Sequence, residues 1–96
     1  MRARFTAEAR EQLNELTRWW RGNRTKARPL RTLVREAVDR VKLAPYKPVY
    51  VELLGIEYRR ALVATTPYHL YYFIDGNSVV IVAVWSGEVD EAPPLG

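Results

Sequence analysis

The segment PYHLYYFIDGNSVVIVAVWSG, Pro67 to Gly87, constrains this chain more than any other. It holds two apolar runs on either side of Asp75-Gly76-Asn77, and Val79 to Trp85 contains no polar residue. Asp-Gly between β-favouring runs is a hairpin signal, because Gly supplies the positive φ that a tight two-residue loop demands. Val79 to Trp85 is β-branched almost throughout and reads as a central strand buried on both sides. Strict alternation places Val79, Ile81, Ala83 and Trp85 on one face and Val80, Val82 and Val84 on the other. In the preceding strand it sets Tyr68, Leu70, Tyr72 and Ile74 against His69, Tyr71 and Phe73. A hairpin this apolar, in a chain of 96 residues, has to be covered.

The cover for one face is legible upstream. Thr6 suits a helix N-cap and Glu8 the first turn. Ala9, Leu13, Leu16 and Trp20 fall on one helical face, and Gly22-Asn23 is a stop signal. A second helix is expected to begin between Thr25 and Pro29. Its stripe is Leu30, Leu33, Val34, Ala37, Val38 and Val41, and it ends at Ala44-Pro45. Arg35–Asp39 and Glu36–Arg40 are spaced as i,i+4 pairs. The short link between the helices implies an antiparallel pair. Tyr58 to Ala64 reads as a strand, Thr65-Thr66-Pro67 as a break, and Val49 to Leu54 as either an extended edge or a loop.

The expected fold is therefore α+β. An N-terminal strand at Arg2–Phe5 precedes an antiparallel helical hairpin packed on a mainly antiparallel sheet, in the order β-α-α-β-β-β, as a single domain over residues 1–96. The helices cover one sheet face. The other is expected to floor a groove or lie under another chain, as large exposed apolar patches usually do. Residues 88–96 are acidic and Pro-rich and are expected to form a flexible tail.

Composition narrows the chemistry. There is no Cys and one His, which excludes disulfides and thiolate metal sites and disfavours a histidine zinc site. No cofactor motif is present. No apolar signal region follows Met1-Arg2-Ala3-Arg4-Phe5, and Val79 to Trp85 is too short to span a bilayer as a helix, so the default expectation is a cytoplasmic protein without a membrane partner. The net charge of +4 is unevenly spread: residues 1–48 hold 13 Lys/Arg against 5 Asp/Glu, and residues 49–96 hold 2 against 6. Such asymmetry suggests an anionic partner for the first half, nucleic acid or an acidic protein segment. A plainly solvated, Arg-rich helix surface accounts for the same charge about equally well.

Individual residues carry the same choice. Arg24, Arg28, Arg31 and Arg35 form a stripe that either meets a partner or serves solubility. Of Trp19 and Trp20, one can face the core squarely and the other is a candidate partner contact. Arg59-Arg60 puts one arginine on each sheet face. Tyr71, Tyr72 and Trp85 can stack on bases or clamp a partner, though Tyr72 and Trp85 share parity with core positions. His69 is either a general base or a surface histidine on a strand, the latter favoured because it has no visible partner.

Taken together, RFTAEAREQLNELTRWW resembles the opening of RelE/ParE-type toxins: a short strand, the pair Thr6-Ala7, then a helix carrying Glu8-Ala9. YRRALVATTPYHLYYFIDGNSVVIVAVWSG resembles that family's end. There an arginine-bearing strand leads to an aromatic-rich Pro-Tyr strand, a tight turn and a β-branched final strand closing on Gly. The resemblance runs from Arg2 to about Asp90. It implies the toxin of a bacterial type II toxin–antitoxin pair, without a cofactor, silenced by an antitoxin segment laid over an exposed groove.

The resemblance also implies two mechanisms to choose between. RelE-like members cut mRNA on the ribosome, and ParE-like members poison DNA gyrase without chemistry of their own. Nuclease members place an arginine where His69 stands, and basic residues where Glu88 and Val89 follow Gly87. Arg59 and Arg60 match basic positions of the family. In-line attack by a 2′-OH needs cations for the phosphorane and an acid–base pair, and Glu88 would repel that phosphate. A ParE-like gyrase inhibitor is thus the favoured expectation, with partner contacts at Trp19, Arg24, Arg28, Arg31, Arg35, Arg59, Arg60 and Trp85. The rivals are an mRNA interferase using Arg59, Arg60, His69 and Tyr71, and a decayed toxin that only binds its antitoxin and regulates their operon.

Overall fold

Seven elements follow one another as β1 (Arg2–Phe5), α1 (Ala7–Asn23), α2 (Leu30–Leu43), β2 (Val49–Leu53), β3 (Ile56–Leu62), β4 (Tyr68–Asp75) and β5 (Ser78–Ser86). They belong to a computed structural model that describes residues 1–87 and 91–95. The strands form one sheet in the order β1-β5-β4-β3-β2. β1 pairs in parallel with β5, and every other pairing is antiparallel. This is the expected α+β arrangement with one strand more, since Val49–Leu53 is an edge strand rather than a loop.

The local signals act as their chemistry dictates. Thr6 caps α1, its hydroxyl oxygen accepting from the Ala9 amide at 3.2 Å. Ala9, Leu13, Thr17 and Trp20 are the buried face of α1, with Leu16 only partly buried. Gly22-Asn23 does not stop the helix by a left-handed residue. α1 runs through Asn23, whose side-chain amide donates to the Trp19 carbonyl, and Arg24 at φ −133° ends it. Pro29 is the N-cap of α2 rather than its first residue, and Leu30, Leu33, Val34, Ala37 and Val41 are buried from that helix. The β2–β3 loop is Leu54-Gly55, both at positive φ (52° and 79°), the pattern of a type I′ hairpin with Leu where Asn or Asp is usual.

The core lies between the helices and one sheet face. Ala9, Leu13, Leu33, Val34, Ala37 and Val41 pack with Ala61, Val63, Leu70, Tyr72, Val79, Ile81 and Val84. Tyr72 is fully buried, and its hydroxyl donates to the Pro45 carbonyl at 2.7 Å, tying the sheet to the chain leaving α2.

The alternation expected along β5 fails in its second half. Tyr72 pairs with Ile81 but Tyr71 with Ala83, so Val82 is an extra residue in a β-bulge. The bulge flips the faces. Val79, Ile81 and Val84 therefore belong to the helix-side core, and Val80 and Ala83, though buried, lie outside it. By the same flip Trp85 sits with the outer face, not with the core parity expected of it.

β1 reaches only as far as Phe5 opposite Ile81, so among the described residues no strand lies beside the second half of β5 on that edge. The Gln12 side chain accepts the Val84 amide there at 2.9 Å. Among the described residues no helix is long and apolar enough to cross a membrane.

Candidate functional site

The outer sheet face differs from the helix-covered one in composition. Val80, Ala83, Tyr71 and Tyr58 are each at most 2% exposed without any second chain, so the centre of this face is not the bare apolar floor that sequence alternation suggested. Around them stand aromatic and basic groups. The Tyr50 ring meets Tyr71 edge-on at 5.3 Å between centroids, and the Arg60 guanidinium stacks over Tyr50 at 4.6 Å. His69 lies 6.1 Å from Tyr71, ring centre to ring centre, and Phe73 packs on Tyr58.

Tyr50 joins this cluster because of a second irregularity. Val49 pairs with Arg59 and Val51 with Tyr58, which leaves Tyr50 as the additional residue of β2. A bulge re-aims the side chain it carries. Sequence reasoning missed Tyr50, and the only signal for it was aromatic character in a segment with no clear periodicity.

Arg59 is held apart from Arg60. It pairs with Tyr72, a core residue, and its Nε donates to the Lys47 carbonyl at 2.7 Å, with the guanidinium over the Tyr46 ring and Glu57 at 4.0 Å. Arg59 thus braces the connector between α2 and β2. Arg60, His69 and Tyr71 share the outer face, whereas Arg59, the fourth member of the nuclease set, belongs to the other side.

His69 is half-buried. Burial, and then the Arg60 cation, push its pKa below the ordinary histidine value of 6.5. It is neutral at pH 7, and its buried Nδ1 has no hydrogen-bond partner among the described residues. Gly87 closes against its ring. A Cβ on Gly87 would lie 2.9 Å from His69 Cε1, so a side chain there would have to push the imidazole aside. Glu88 and Val89, on which the expectation of repulsion at this rim rested, lie outside the described residues, as do Asp90 and Gly96 of the acidic tail.

The second candidate surface is the arginine stripe around the α1–α2 connection. Trp20 is buried and its indole N–H donates to the Arg28 carbonyl at 2.9 Å, while Trp19 is 49% exposed. Arg24 lies over the Trp20 ring at 5.7 Å. Arg28 forms a bidentate pair with Glu36, which raises the guanidinium pKa and lowers that of the carboxyl through hydrogen bonding. Glu36 therefore pairs with Arg28 and not with Arg40 at i+4. No Arg35–Asp39 pair stands among the ion pairs of the described residues. Arg31 donates to the Asn14 side chain, and Arg35 is exposed. The Trp85 indole N–H is engaged within the chain, donating to the Glu91 carbonyl at 3.0 Å.

The arrangement offers a cation–aromatic surface suited to stacking and ion pairing with a partner. It also offers a neutral imidazole beside one guanidinium and the Tyr71 ring, with the second arginine of the expected set, Arg59, on the other face.

Comparison with known proteins agrees with the fold. The model of the family described as ParE toxin of type II toxin–antitoxin system, parDE, matches residues 3–91. A chain of a solved structure titled "Chromosomal ParDE TA system from P. aeruginosa" superposes with a TM-score of 0.65 at 16% identity, over 92% of this chain and 97% of that one. None of the curated proteins is significantly similar in sequence. With the family model covering almost the whole length, the chain belongs to the ParE toxin family of type II toxin–antitoxin systems.

Proposed function

We propose that this toxin acts by binding alone: it inhibits DNA gyrase through its outer sheet face and is neutralised by a cognate antitoxin. The observation that carries the reading is the separation of the basic pair. Arg59 is spent on the Lys47 carbonyl and Tyr46, and Arg60 alone reaches the face that bears His69 and Tyr71. Phosphoryl transfer from a 2′-OH draws on several converging charges and on both an acid and a base. Protein recognition needs less: aromatic and arginine anchors in a desolvated patch. Arg60 on Tyr50 is such an anchor, and the exposed Trp19, Arg24 and Arg35 offer a second surface for an acidic antitoxin segment. Arg28, Arg31, Arg59 and Trp85 are committed to contacts within the chain and contribute shape more than free charge.

Induced expression without an antitoxin tests this. The expected result is growth arrest with relaxed or gyrase-cleaved plasmid DNA. Arrest with normal supercoiling and unbroken DNA overturns the gyrase target.

One observation favours a ribosome-dependent mRNA interferase as the second reading: Arg60, a neutral His69 and Tyr71 do lie together on one face. Transcript cleavage abolished by both His69→Ala and Arg60→Ala would establish it.

A further inference from the structure

The open half of the β5 edge is not left to solvent. Glu91 to Leu95 lies along it, with the Glu91 carbonyl accepting from Trp85 and Pro93 buried. Pro94 borders a hollow of about 380 Å³ with Tyr58, Phe73 and Val82 on one side and Thr6, Glu8 and Gln12 on the other, and Glu91 borders another of about 240 Å³ with Gln12, Glu15, Leu16 and Val84. The segment therefore runs back from the end of β5, near Trp85, towards the bulge at Val82.

It covers this edge without joining the sheet. Pro93 and Pro94 have no N–H, so they cannot donate to a neighbouring strand. The Val84 amide is taken by Gln12 instead. Among the described residues the segment holds on through one indole hydrogen bond and one buried proline, and Glu91, Ala92 and Pro94 remain exposed. The cover thus has few anchors and is flanked by two hollows.

We propose that the groove between Trp85 and the Val82–Tyr58–Phe73 hollow is a docking site for an extended, proline-bearing peptide, occupied in cis by the chain's own Glu91–Leu95. Trp85 supplies the donor that reads a backbone carbonyl, and Tyr58, Phe73 and Val82 give the hollow beside Pro94 its apolar part. The strap adjoins the Arg60 face, so that, resting on the gyrase reading above, it competes with a protein target whose footprint spreads across β5.

Backbone hydrogen exchange on the full-length chain tests the docking site by itself. Pro93→Asp is expected to raise exchange at Val82 to Ser86 by about tenfold while Leu13, Val34 and Leu70 exchange as before. A synthetic peptide of residues 88–96 added to that variant should restore protection at about millimolar concentration, the effective concentration a short tether supplies. Trp85→Phe should weaken the rescue several-fold. Unchanged exchange in Pro93→Asp, or no rescue by millimolar peptide, overturns the docking site. If Pro93→Asp loosens the core residues as well, the full-length Trp85→Phe variant decides. Faster exchange confined to Val82–Ser86 supports the proposal, and wild-type exchange overturns it.

Purified gyrase then separates the two ideas. Stronger inhibition by Pro93→Asp than by the wild type supports competition, and equal or weaker inhibition overturns it. If neither protein inhibits, the gyrase reading falls, and the exchange and peptide results alone settle the docking site.

Discussion

The two faces of the sheet are made by the same strands and do different work. Under the helices, Leu70, Val79, Ile81 and Val84 meet Ala9, Leu13, Leu33, Val34 and Ala37, aliphatic against aliphatic. On the outside, Tyr50, Tyr71, His69 and Arg60 make a patch of rings and one guanidinium. One side chain in every two along β3 and β4 belongs to each face, so adjacent residues answer to different demands. The inner side holds the aliphatic core cluster. The outer side holds groups whose chemistry exceeds what packing requires, and an Nδ1 with no partner among the described residues.

Substitution can sharpen or break that contrast. The largest effect is expected from Leu70→Ala, which opens a cavity at a fully buried position and should cost about 2–5 kcal/mol in urea denaturation. Leu62→Ala, on the neighbouring strand at 53% exposure, should cost under about 0.5 kcal/mol. Similar costs for the two would erase the distinction between the faces. Tyr72→Phe comes next. It leaves the Pro45 carbonyl without its donor and should destabilise by about 1 kcal/mol, whereas Tyr71→Phe, whose hydroxyl has no hydrogen bond among the described residues, should move the midpoint less.

Leu54→Asn should gain stability, by less than about 1 kcal/mol, because Asn tolerates the left-handed φ of 52° that Leu54 occupies while fully exposed. A lower melting temperature in that variant would contradict the reading of this turn.

The smallest expected effect is in the pH dependence of stability. The folded state holds the pKa of His69 below its ordinary 6.5, so the unfolded chain binds this proton more readily. His69 therefore favours folding above pH 6.5, and that contribution fades as pH falls through the unfolded value towards the lowered folded one. His69→Gln should flatten the acid limb of the stability curve, and an unchanged slope between pH 8 and roughly 5 counts against the histidine's buried setting.

What the sequence revealed follows from which features are local. Thr6, the stripe on α2 and Asp75-Gly76 act through neighbours three or four residues away, and each is found where its signal pointed. The faces of β4 were legible for the same reason. The two bulges were not, because nothing in VVIVAVW marks Val82 as the extra residue, and nothing in VYVEL marks Tyr50. Both depend on how long the partner strand is between its turns. The division of labour between Arg59 and Arg60 was half legible: alternation puts them on opposite faces, but only the path of residues 45–48 shows which one is consumed. The turn at Leu54-Gly55 was hidden by a leucine where the usual signal residue is Asn or Asp.

The central claim is that this toxin works through binding by the outer face and not through His69 chemistry. A supercoiling assay with purified gyrase, comparing Arg60→Glu with His69→Gln after both have been shown to fold, tests it directly. Arg60→Glu is expected to abolish inhibition and His69→Gln to inhibit within about threefold of the wild type, less than about one kcal/mol. Inhibition that survives Arg60→Glu but is lost in His69→Gln, or no inhibition alongside ribosome-dependent mRNA cleavage by the wild type, would contradict it.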